Sequence, residues 1–271
     1  MAVLLEGGCR VSNLREGDPI TSGTLCLWNQ IGRATGAQAI SLRVLEFGPG
    51  LSPGIRNDEC DEILYVLDPS WKSARADRVD VSTTCVSGWV NLSIDGYSCE
   101  IGADIGVYIR PGETFAVDNP GPNSIMLISS QCPDPDRSPE FVPPLTAESD
   151  PLPPARSPIV RLADRPAQPT GDRWYRVLVD DEVGSTQATQ FVGSIPPGRA
   201  PDHFHNYEEV LFILKGEGRM WAGDTNTSIG VGSCIYLPKG QVHCVENTGT
   251  DELRLLGVFY PAGSPSVRYD V

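Results

Sequence analysis

The chain has 271 residues, enough for two modest domains, and 40% of them are hydrophobic, enough for a buried core. A formal net charge of −14 leaves no basic footprint, so partners such as nucleic acid or an anionic membrane surface are not expected. No apolar stretch approaches the roughly 20 residues of a membrane helix, and the N-terminus lacks the basic region of a secretory signal. We therefore expect a cytoplasmic protein.

The pattern along the chain predicts an all-β fold. The 24 prolines and 28 glycines favour short strands joined by tight turns. Short apolar runs such as Ser41–Phe47, Ile63–Leu67 and Leu253–Phe259 are separated by Gly, Pro, Asn and Asp, and no long helical periodicity is present. Each half of the chain is expected to form a small β-sandwich or barrel.

A proline-rich segment at residues 133–158 divides the chain. Because proline lacks the N–H group that a β-ladder needs, we expect an extended connector that lies outside the sheets. The predicted domains are residues 1–132, the linker 133–158, and residues 159–271.

The two halves repeat each other. The block Glu62–Leu67 recurs as Glu209–Leu214, and Val107–Asn119 recurs as Ile235–Asn247. The spacing between the two blocks is longer in the N-terminal copy, which predicts an enlarged loop within Pro69–Gly88.

The 8 cysteines form no CxxC pair, and the chain is large for a disulfide scaffold. We expect most of them to be buried, reduced thiols that pack as small hydrophobic side chains.

The 3 histidines carry the strongest chemical signal. His203 and His205 are two residues apart, so on a strand they point to the same face, and Glu209 shares their parity. Glu208 has the opposite parity and is expected to point outward. The alternative for the pair is a buried, purely structural cluster whose imidazoles bind main-chain carbonyls.

The third histidine, His243, follows a turn at Pro238 and Gly240 that places it at the start of a strand. Three imidazoles and one carboxylate can surround a divalent ion and leave two positions open, whereas a closed structural zinc site more often uses cysteine. Cys244 has the opposite strand parity and is expected to be a packing residue.

These residues fall into two motifs that resemble those of the cupin superfamily. The first runs from Gly198 through His203, His205 and Glu209 to Gly216, and the second runs from Gly232 through Pro238, Gly240 and His243 to Asn247. With the internal repeat, the chain resembles a bicupin. The resemblance implies two jelly-roll barrels and one divalent transition metal (Fe(II), Mn(II), Ni(II), Co(II) or Zn(II)) in the second barrel.

The first copy of the motif has lost its histidines. Arg56 and Asp58 replace the first pair, Phe115 stands at the position of His243, and Glu62 remains. We predict no metal there, but a buried Arg56–Asp58–Glu62 ion cluster, since buried charges must pair. The alternative is a ligand-binding pocket in which Arg56 holds a carboxylate.

The lining of the second barrel follows from parity. Leu211, Ile213, Gln241 and Val245 are expected to face inward, and Gln241 is the nearest polar candidate. Glu209 and Gln241 are therefore the candidate catalytic residues. The alternative for Gln241 is a position at the rim of the barrel. Four aromatic residues are candidates to shape the pocket or simply to fill the core: Phe191, Tyr236, Trp221 and Phe259.

The resemblance implies a metal-dependent enzyme that acts on a small oxygen-bearing organic substrate. Bicupins include dioxygenases, decarboxylases, isomerases and aminohydrolases. Because the sequence offers no general base beyond Glu209 and the N-terminal carboxylates, dioxygenase-type chemistry is the leading hypothesis. A non-redox isomerase, lyase or aminohydrolase is the first alternative, and a metal-containing small-molecule binding protein is the second. A monomer or a homodimer is expected.

Overall fold

The computed structural model describes residues 1–69, 89–144, 157–267 and 269–270. The loop predicted within Pro69–Gly88 lies outside the described residues from position 70 onward, as do residues 145–156 of the predicted linker. Short 3₁₀ turns occur at Glu6–Gly8, Arg33–Thr35, Leu162–Asp164 and Asp181–Val183. No helix in these ranges has the length and apolarity that crossing a bilayer requires.

The strands of the N-terminal half are β1 (Val3–Leu4), β2 (Arg10–Asn13), β3 (Ile20–Ser22), β4 (Leu25–Ile31), β5 (Leu42–Phe47), β6 (Gly50–Leu51), β7 (Gly54–Arg56), β8 (Asp61–Val66), β9 (Val90–Ile94), β10 (Tyr97–Ile101), β11 (Ile105–Ile109), β12 (Thr114–Asn119), β13 (Ile125–Cys132) and β14 (Glu140–Val142).

Those of the C-terminal half are β15 (Ile159–Arg161), β16 (Gln168–Thr170), β17 (Arg173–Val179), β18 (Thr189–Ile195), β19 (Gly198–Arg199), β20 (His203–Phe204), β21 (Glu208–Lys215), β22 (Glu217–Ala222), β23 (Thr225–Gly230), β24 (Ser233–Leu237), β25 (His243–Asn247), β26 (Leu253–Tyr260) and β27 (Tyr269–Asp270).

In the described ranges these strands form one large and one small sheet in each half. The N-terminal pair has the orders β15-β11-β8-β13-β5-β4-β3 and β10-β9-β12-β7-β14, with β6 on β12. The C-terminal pair has the orders β1-β2-β24-β21-β26-β18-β17-β16 and β23-β22-β25-β20-β27, with β19 on β25. Each pair encloses an apolar core, which confirms the predicted all-β fold of two jelly-roll barrels.

The two large sheets pack against each other through a third core. On β8, Leu64 and Val66 point into the N-terminal barrel, while Ile63 and Tyr65 join residues of the other half between the sheets. The sequence of a strand that is buried on both faces is a continuous apolar run, because neither face is exposed to solvent. This explains why the repeated block Glu62–Leu67 shows no alternation.

Each half contributes to the other half's large sheet: β1 and β2 join the C-terminal sheet, and β15 joins the N-terminal one. Strand β2 pairs antiparallel with β24, with Val11 opposite Ile235, and β15 pairs antiparallel with β11, with Val160 opposite Gly106. The division at residues 132 and 159 stays a prediction about folding units, because the sheets themselves cross it.

One prediction about the proline-rich segment was wrong. Strand β14 lies within residues 133–158 and pairs with β7, with Phe141 opposite Ile55. Its three residues contain no proline, since Pro139 and Pro143 flank them, and β14 is an edge strand. Edge positions tolerate neighbouring prolines because only one side of the strand carries ladder hydrogen bonds.

The described cysteines agree with the sequence. They are unpaired thiols, and five of the seven are buried, namely Cys9, Cys60, Cys132, Cys234 and Cys244. Cys85 lies outside the described residues.

Glu208 joins the two halves. Its side chain points away from the C-terminal barrel, as predicted, but into the buried contact with the N-terminal half. The carboxylate accepts hydrogen bonds from the main-chain N–H groups of Gln38 (2.8 Å) and Ala39 (2.6 Å). The Tyr236 hydroxyl donates a third, short hydrogen bond.

We expect Glu208→Ala to destabilise the protein, because it leaves two main-chain donors and a tyrosine hydroxyl without their acceptor. Each unsatisfied buried donor costs about 1–3 kcal/mol, so the free energy of unfolding should fall by roughly 2–5 kcal/mol in urea denaturation. Glu217→Ala, at an exposed glutamate, is the matched control and should change it little. Equal effects of the two substitutions would show that Glu208 does not hold the halves together.

Candidate metal centre

The four predicted ligands converge inside the C-terminal barrel. His203 lies on β20 of the small sheet, directly opposite His243 on β25. His205 follows the end of β20, and Glu209 lies on β21 of the facing large sheet. The ligands therefore approach one point from both sheets of the barrel.

The three imidazoles form a compact cluster. Their ring centroids are separated by 4.9 Å (His203 to His205), 4.6 Å (His203 to His243) and 5.2 Å (His205 to His243). One ring nitrogen from each lies within 4.8 Å of those of the other two, a spacing that can hold a metal ion. Glu209 lies beside this group of three histidines, with Oε2 3.7 Å from Nε2 of His205.

Each imidazole is oriented by a main-chain carbonyl. Nδ1 of His203, His205 and His243 lies 3.0, 3.0 and 2.8 Å from the carbonyl oxygens of Pro201, Val267 and Gln241, respectively. A carbonyl only accepts, so each Nδ1 must carry the proton, and the lone pair of each neutral imidazole is on Nε2. Metal-binding histidines usually have this arrangement, in which an outer partner fixes the tautomer and the ring orientation. The carbonyl partners of the structural alternative are thus present, and they contact Nδ1, not Nε2, of each ring.

The Glu209 carboxylate is buried without hydrogen-bond donors. It is 5% exposed, and among the described residues no N–H or O–H group donates to it. The position across the ladder is Phe259, and Tyr207 stacks on that ring at 4.4 Å. An apolar shell does not compensate a buried charge, so this carboxylate requires a cation or a proton.

The protonation equilibria reflect this burial. Burial, together with the proximity of His203, lowers the pKa of His205 to about 4 and that of His243 to about 3. Burial raises the pKa of Glu209 to about 8. A metal cation at this point would favour the ionised carboxylate and would bind the neutral imidazoles as they stand.

A cavity of about 120 Å³ opens onto the cluster. Its walls are mostly apolar and aromatic, and its polar members are few. Besides the four proposed ligands the described lining residues are Thr170, Arg173, Trp174, Tyr175, Phe191, Gly193, Ser194, Ile195, Leu211, Val245, Leu255 and Pro265. Leu211 and Val245 face inward as predicted, and Ile213 lies deeper in the barrel core.

The predicted inward position of Gln241 was wrong. Its amide nitrogen donates to the main-chain carbonyl of Val242 (2.8 Å), and its side chain packs against Gly7 of the N-terminal segment. Gln241 precedes β25 in a turn, where strand parity does not determine side-chain direction. Its contribution to the site is the carbonyl oxygen that orients His243.

The aromatic candidates separate into two groups. Phe191 lines the cavity and Phe259 lies behind Glu209. Tyr236 instead packs between the two halves, and the Trp221 indole donates to Glu246 and lies 4.2 Å from the Arg199 guanidinium. Trp174 and Tyr175, which the sequence analysis did not identify, provide the other aromatic walls.

Cys244 points away from the histidines, as its parity predicted. Nε of Arg199 donates to its sulfur at 3.2 Å, on the opposite face of β25. The thiol therefore takes no part in the cluster.

The predicted ion cluster in the N-terminal barrel was also wrong. Arg56 and Asp58 pair with each other at 2.9 Å, but their side chains are 40% and 52% exposed and do not reach Glu62. Phe115 fills the interior at the position of His243. The residues that replaced the first two histidines therefore lie at the surface of the barrel, not in a ligand pocket.

Glu62 is instead neutralised from neighbouring strands. Nη2 of Arg43, on β5, donates to its Oε1 at 2.5 Å. Ser129 and Gln131, on β13, donate at 2.8 and 3.2 Å. The sequence signal was available, because Arg43 shares the inward parity of Leu45 and Phe47, but only the strand order brings it to Glu62.

Glu62 and Glu209 occupy equivalent points of the two barrels. In the ladders, Gln131 lies opposite Glu62 and Phe259 lies opposite Glu209. One strand further, Arg43 lies opposite Ser129.

The equivalent pair in the C-terminal barrel is Phe191 opposite Gly257. The Phe191 ring packs so closely on Gly257 that a Cβ added to this glycine would lie 2.3 Å from the ring. The positions that provide polar partners to Glu62 are thus occupied by Phe259, Gly257 and Phe191 around Glu209.

Comparisons with known proteins agree with this architecture. The family model of a cupin domain matches residues 191–259. An oxalate-binding protein of Thermotoga maritima is 32% identical over 84 residues, which cover 30% of this chain and 69% of that protein. Auxin-binding protein 1 of Arabidopsis thaliana is 33% identical over 70 residues, which cover 22% of this chain but only 35% of that protein.

Among solved structures, oxalate decarboxylase of Bacillus subtilis is similar to nearly the whole chain. A structure described for its Mn(II) centres has a TM-score of 0.72 at 12% identity and covers 94% of this chain and 78% of that one. At this identity the likeness shows the fold, here extending over both barrels.

We expect Arg43→Met to destabilise the protein by about 3–5 kcal/mol, because it leaves the buried Glu62 without its counterion. The double variant Arg43→Met/Glu62→Leu should recover much of this loss, because both buried charges are then removed. Arg56→Ala, at an exposed pair, should cost at most about 1 kcal/mol. Urea denaturation measures all three, and a larger effect of Arg56→Ala than of Arg43→Met would contradict the pairing.

Proposed function

This chain belongs to the cupin superfamily, and from that premise we propose that it is a metal-dependent enzyme. Its C-terminal barrel would bind one divalent transition-metal ion, such as Fe(II), Mn(II), Ni(II), Co(II) or Zn(II), through His203, His205, Glu209 and His243. The substrate would be a small organic molecule whose oxygen atoms reach the metal. The observation that carries the proposal is the buried Glu209 carboxylate, to which no described residue donates a hydrogen bond, beside three imidazoles oriented by main-chain carbonyls.

The donor set suits such an ion. Imidazole nitrogen and carboxylate oxygen are ligands for Fe, Mn, Ni, Co and Zn, and no thiolate takes part. Four protein ligands leave positions open for substrate, which distinguishes a reactive site from a closed structural one. The relatives support an oxygen-bearing ligand, since one is named for binding oxalate and the similar solved structure is an oxalate decarboxylase with Mn(II).

The side chains of the cavity position substrate and exclude water. Trp174, Tyr175 and Phe191 form apolar walls that favour a small organic body over bulk water. Arg173 is the one cation among the described lining residues other than the histidines, and it suits a substrate carboxylate.

The residues that line the cavity are the basis for the proposed reaction type. Apart from the proposed ligands, the titratable side chains among the described lining residues are Arg173 and Tyr175, and the Tyr175 hydroxyl donates to Gln168 at 2.8 Å. Neither is a histidine or a carboxylate, the side chains that most often act as a general base. A bound metal would supply Lewis-acid or redox chemistry. We therefore propose a dioxygenase-type reaction, with a non-redox lyase or isomerase as the alternative.

A small-molecule binding protein is the second candidate. The same lack of an acid or base favours it, and two relatives are named for binding. Turnover distinguishes the two candidates, since a binding protein would release its ligand unchanged.

We expect the purified protein to contain about one divalent metal ion per chain, measured by elemental analysis after anaerobic purification. His205→Ala and His243→Ala should each lose most of the metal, because each removes one nitrogen ligand. Arg56→Ala is the control and should retain it. Retention of the metal by both histidine variants would refute the ligand assignment, and two ions per chain would contradict the metal-free N-terminal barrel.

We expect the Fe(II)-loaded protein to consume O₂ when candidate organic acids or enols are added, measured with an oxygen electrode. His243→Ala loaded in the same way is the control and should show background consumption only. Turnover that proceeds equally well without O₂ would reject the dioxygenase and favour the lyase or isomerase.

A further inference from the structure

The Arg43 guanidinium uses only part of its hydrogen-bonding capacity. Arginine has five N–H groups, and those on Nη2 serve Glu62 at 2.5 Å and Ser129 at 3.0 Å. Nε and Nη1 are buried, and among the described residues neither has an acceptor. The side chain is only 2% exposed, so bulk water does not reach these groups freely.

Buried donors without acceptors are rare in folded proteins, because their desolvation is not compensated. Glu62 accepts hydrogen bonds from Nη2 of Arg43, from Ser129 and from Gln131, but none from Nε or Nη1 of Arg43. The three remaining N–H groups therefore indicate an acceptor that is not part of the described chain.

A cavity of about 230 Å³ begins at this point. Arg43, Ser41 and Gln131 belong to its inner wall, and the turn Gly32–Thr35 and the segment after β13 border it. A water molecule occupies about 30 Å³ of liquid, so the space is large enough for a small organic molecule.

The unpaired donors of Arg43 favour an anion. Arg33 and Arg137 line the cavity together with Arg43, Asp134 and Asp136, but Arg137 pairs with Glu59 at 3.2 Å. Asp134 already accepts hydrogen bonds from the main-chain N–H groups of Arg33 (2.9 Å) and Asp136 (3.1 Å). A metal cation would be repelled by the buried guanidinium, whereas a carboxylate offers about four lone-pair sites for the three free N–H groups.

We propose that the N-terminal barrel binds a small carboxylate at Arg43, in a site separate from the metal centre and independent of the proposed function. The carboxylate oxygens accept hydrogen bonds from Nε and Nη1 of Arg43, and Arg33 at the mouth attracts the anion. The barrel that lost its histidines thus keeps a binding role through a residue on another strand.

The experiment is calorimetric titration with sodium acetate against the full-length protein, with sodium chloride at equal ionic strength as the reference. Because acetate can also reach the metal centre, the His243→Ala variant serves as the background that removes that second site. We expect acetate binding to persist in this background.

Two further substitutions in that background test the residue. Arg43→Lys keeps a positive charge beside Glu62 but removes Nε and Nη1, and it should weaken acetate binding at least tenfold. Arg33 is exposed, so Arg33→Glu should fold normally, and it should weaken acetate binding several-fold through charge repulsion. This variant keeps the test valid if Arg43→Lys does not fold. Arg219→Glu, an equal charge change at an exposed arginine of the C-terminal half, should have no effect.

Two outcomes would overturn the proposal. If acetate binding is absent from the His243→Ala background, the acetate site is the metal centre and Arg43 is served only by water. If binding is present but unchanged by both Arg43→Lys and Arg33→Glu, the anion lies elsewhere.

Discussion

A glutamate carboxylate is buried at the same point of each barrel, and the rest of the molecule is arranged to neutralise it. An isolated buried charge is too costly to persist, so each copy needs a positive or hydrogen-bonding partner. The N-terminal barrel provides Arg43, Ser129 and Gln131. The C-terminal barrel surrounds Glu209 with apolar side chains and three imidazoles. The two halves thus show two solutions to one electrostatic problem, an internal ion pair and a proposed metal centre.

The same strand that carries Glu209 also fixes the association of the halves. Glu208 and Glu209 are adjacent on β21 and point to opposite faces of the large sheet. Glu208 accepts main-chain hydrogen bonds from Gln38 and Ala39 of the other half, while Glu209 faces the histidines. Any shift of β21 at the contact between the halves would move the carboxylate of the site. The N-terminal barrel therefore supports the C-terminal site even though it lacks that site's histidines.

Orientation of the imidazoles depends on the main chain of three separate segments. The carbonyls of Pro201, Gln241 and Val267 each hold one ring through Nδ1. Because these carbonyls lie on loops next to the strand ends, the strands set the positions of the rings and the loops set their directions. Such preorganisation fixes the orientation of the three rings before any ligand arrives.

The sequence by itself determined the all-β fold, the duplication and the four residues of the proposed metal centre. These follow from local rules: strand parity places His203, His205 and Glu209 on one face, and the repeat identifies the lost histidines of the first copy. Gln241 escaped the same rule because it lies in a turn, where no periodicity operates. The tertiary structure alone decided that Glu62 pairs with Arg43 and not with Arg56, and that Glu208 links the halves. Partners such as these come from strands far apart in the chain, and their proximity is set by the order of strands in a sheet, which local periodicity does not encode.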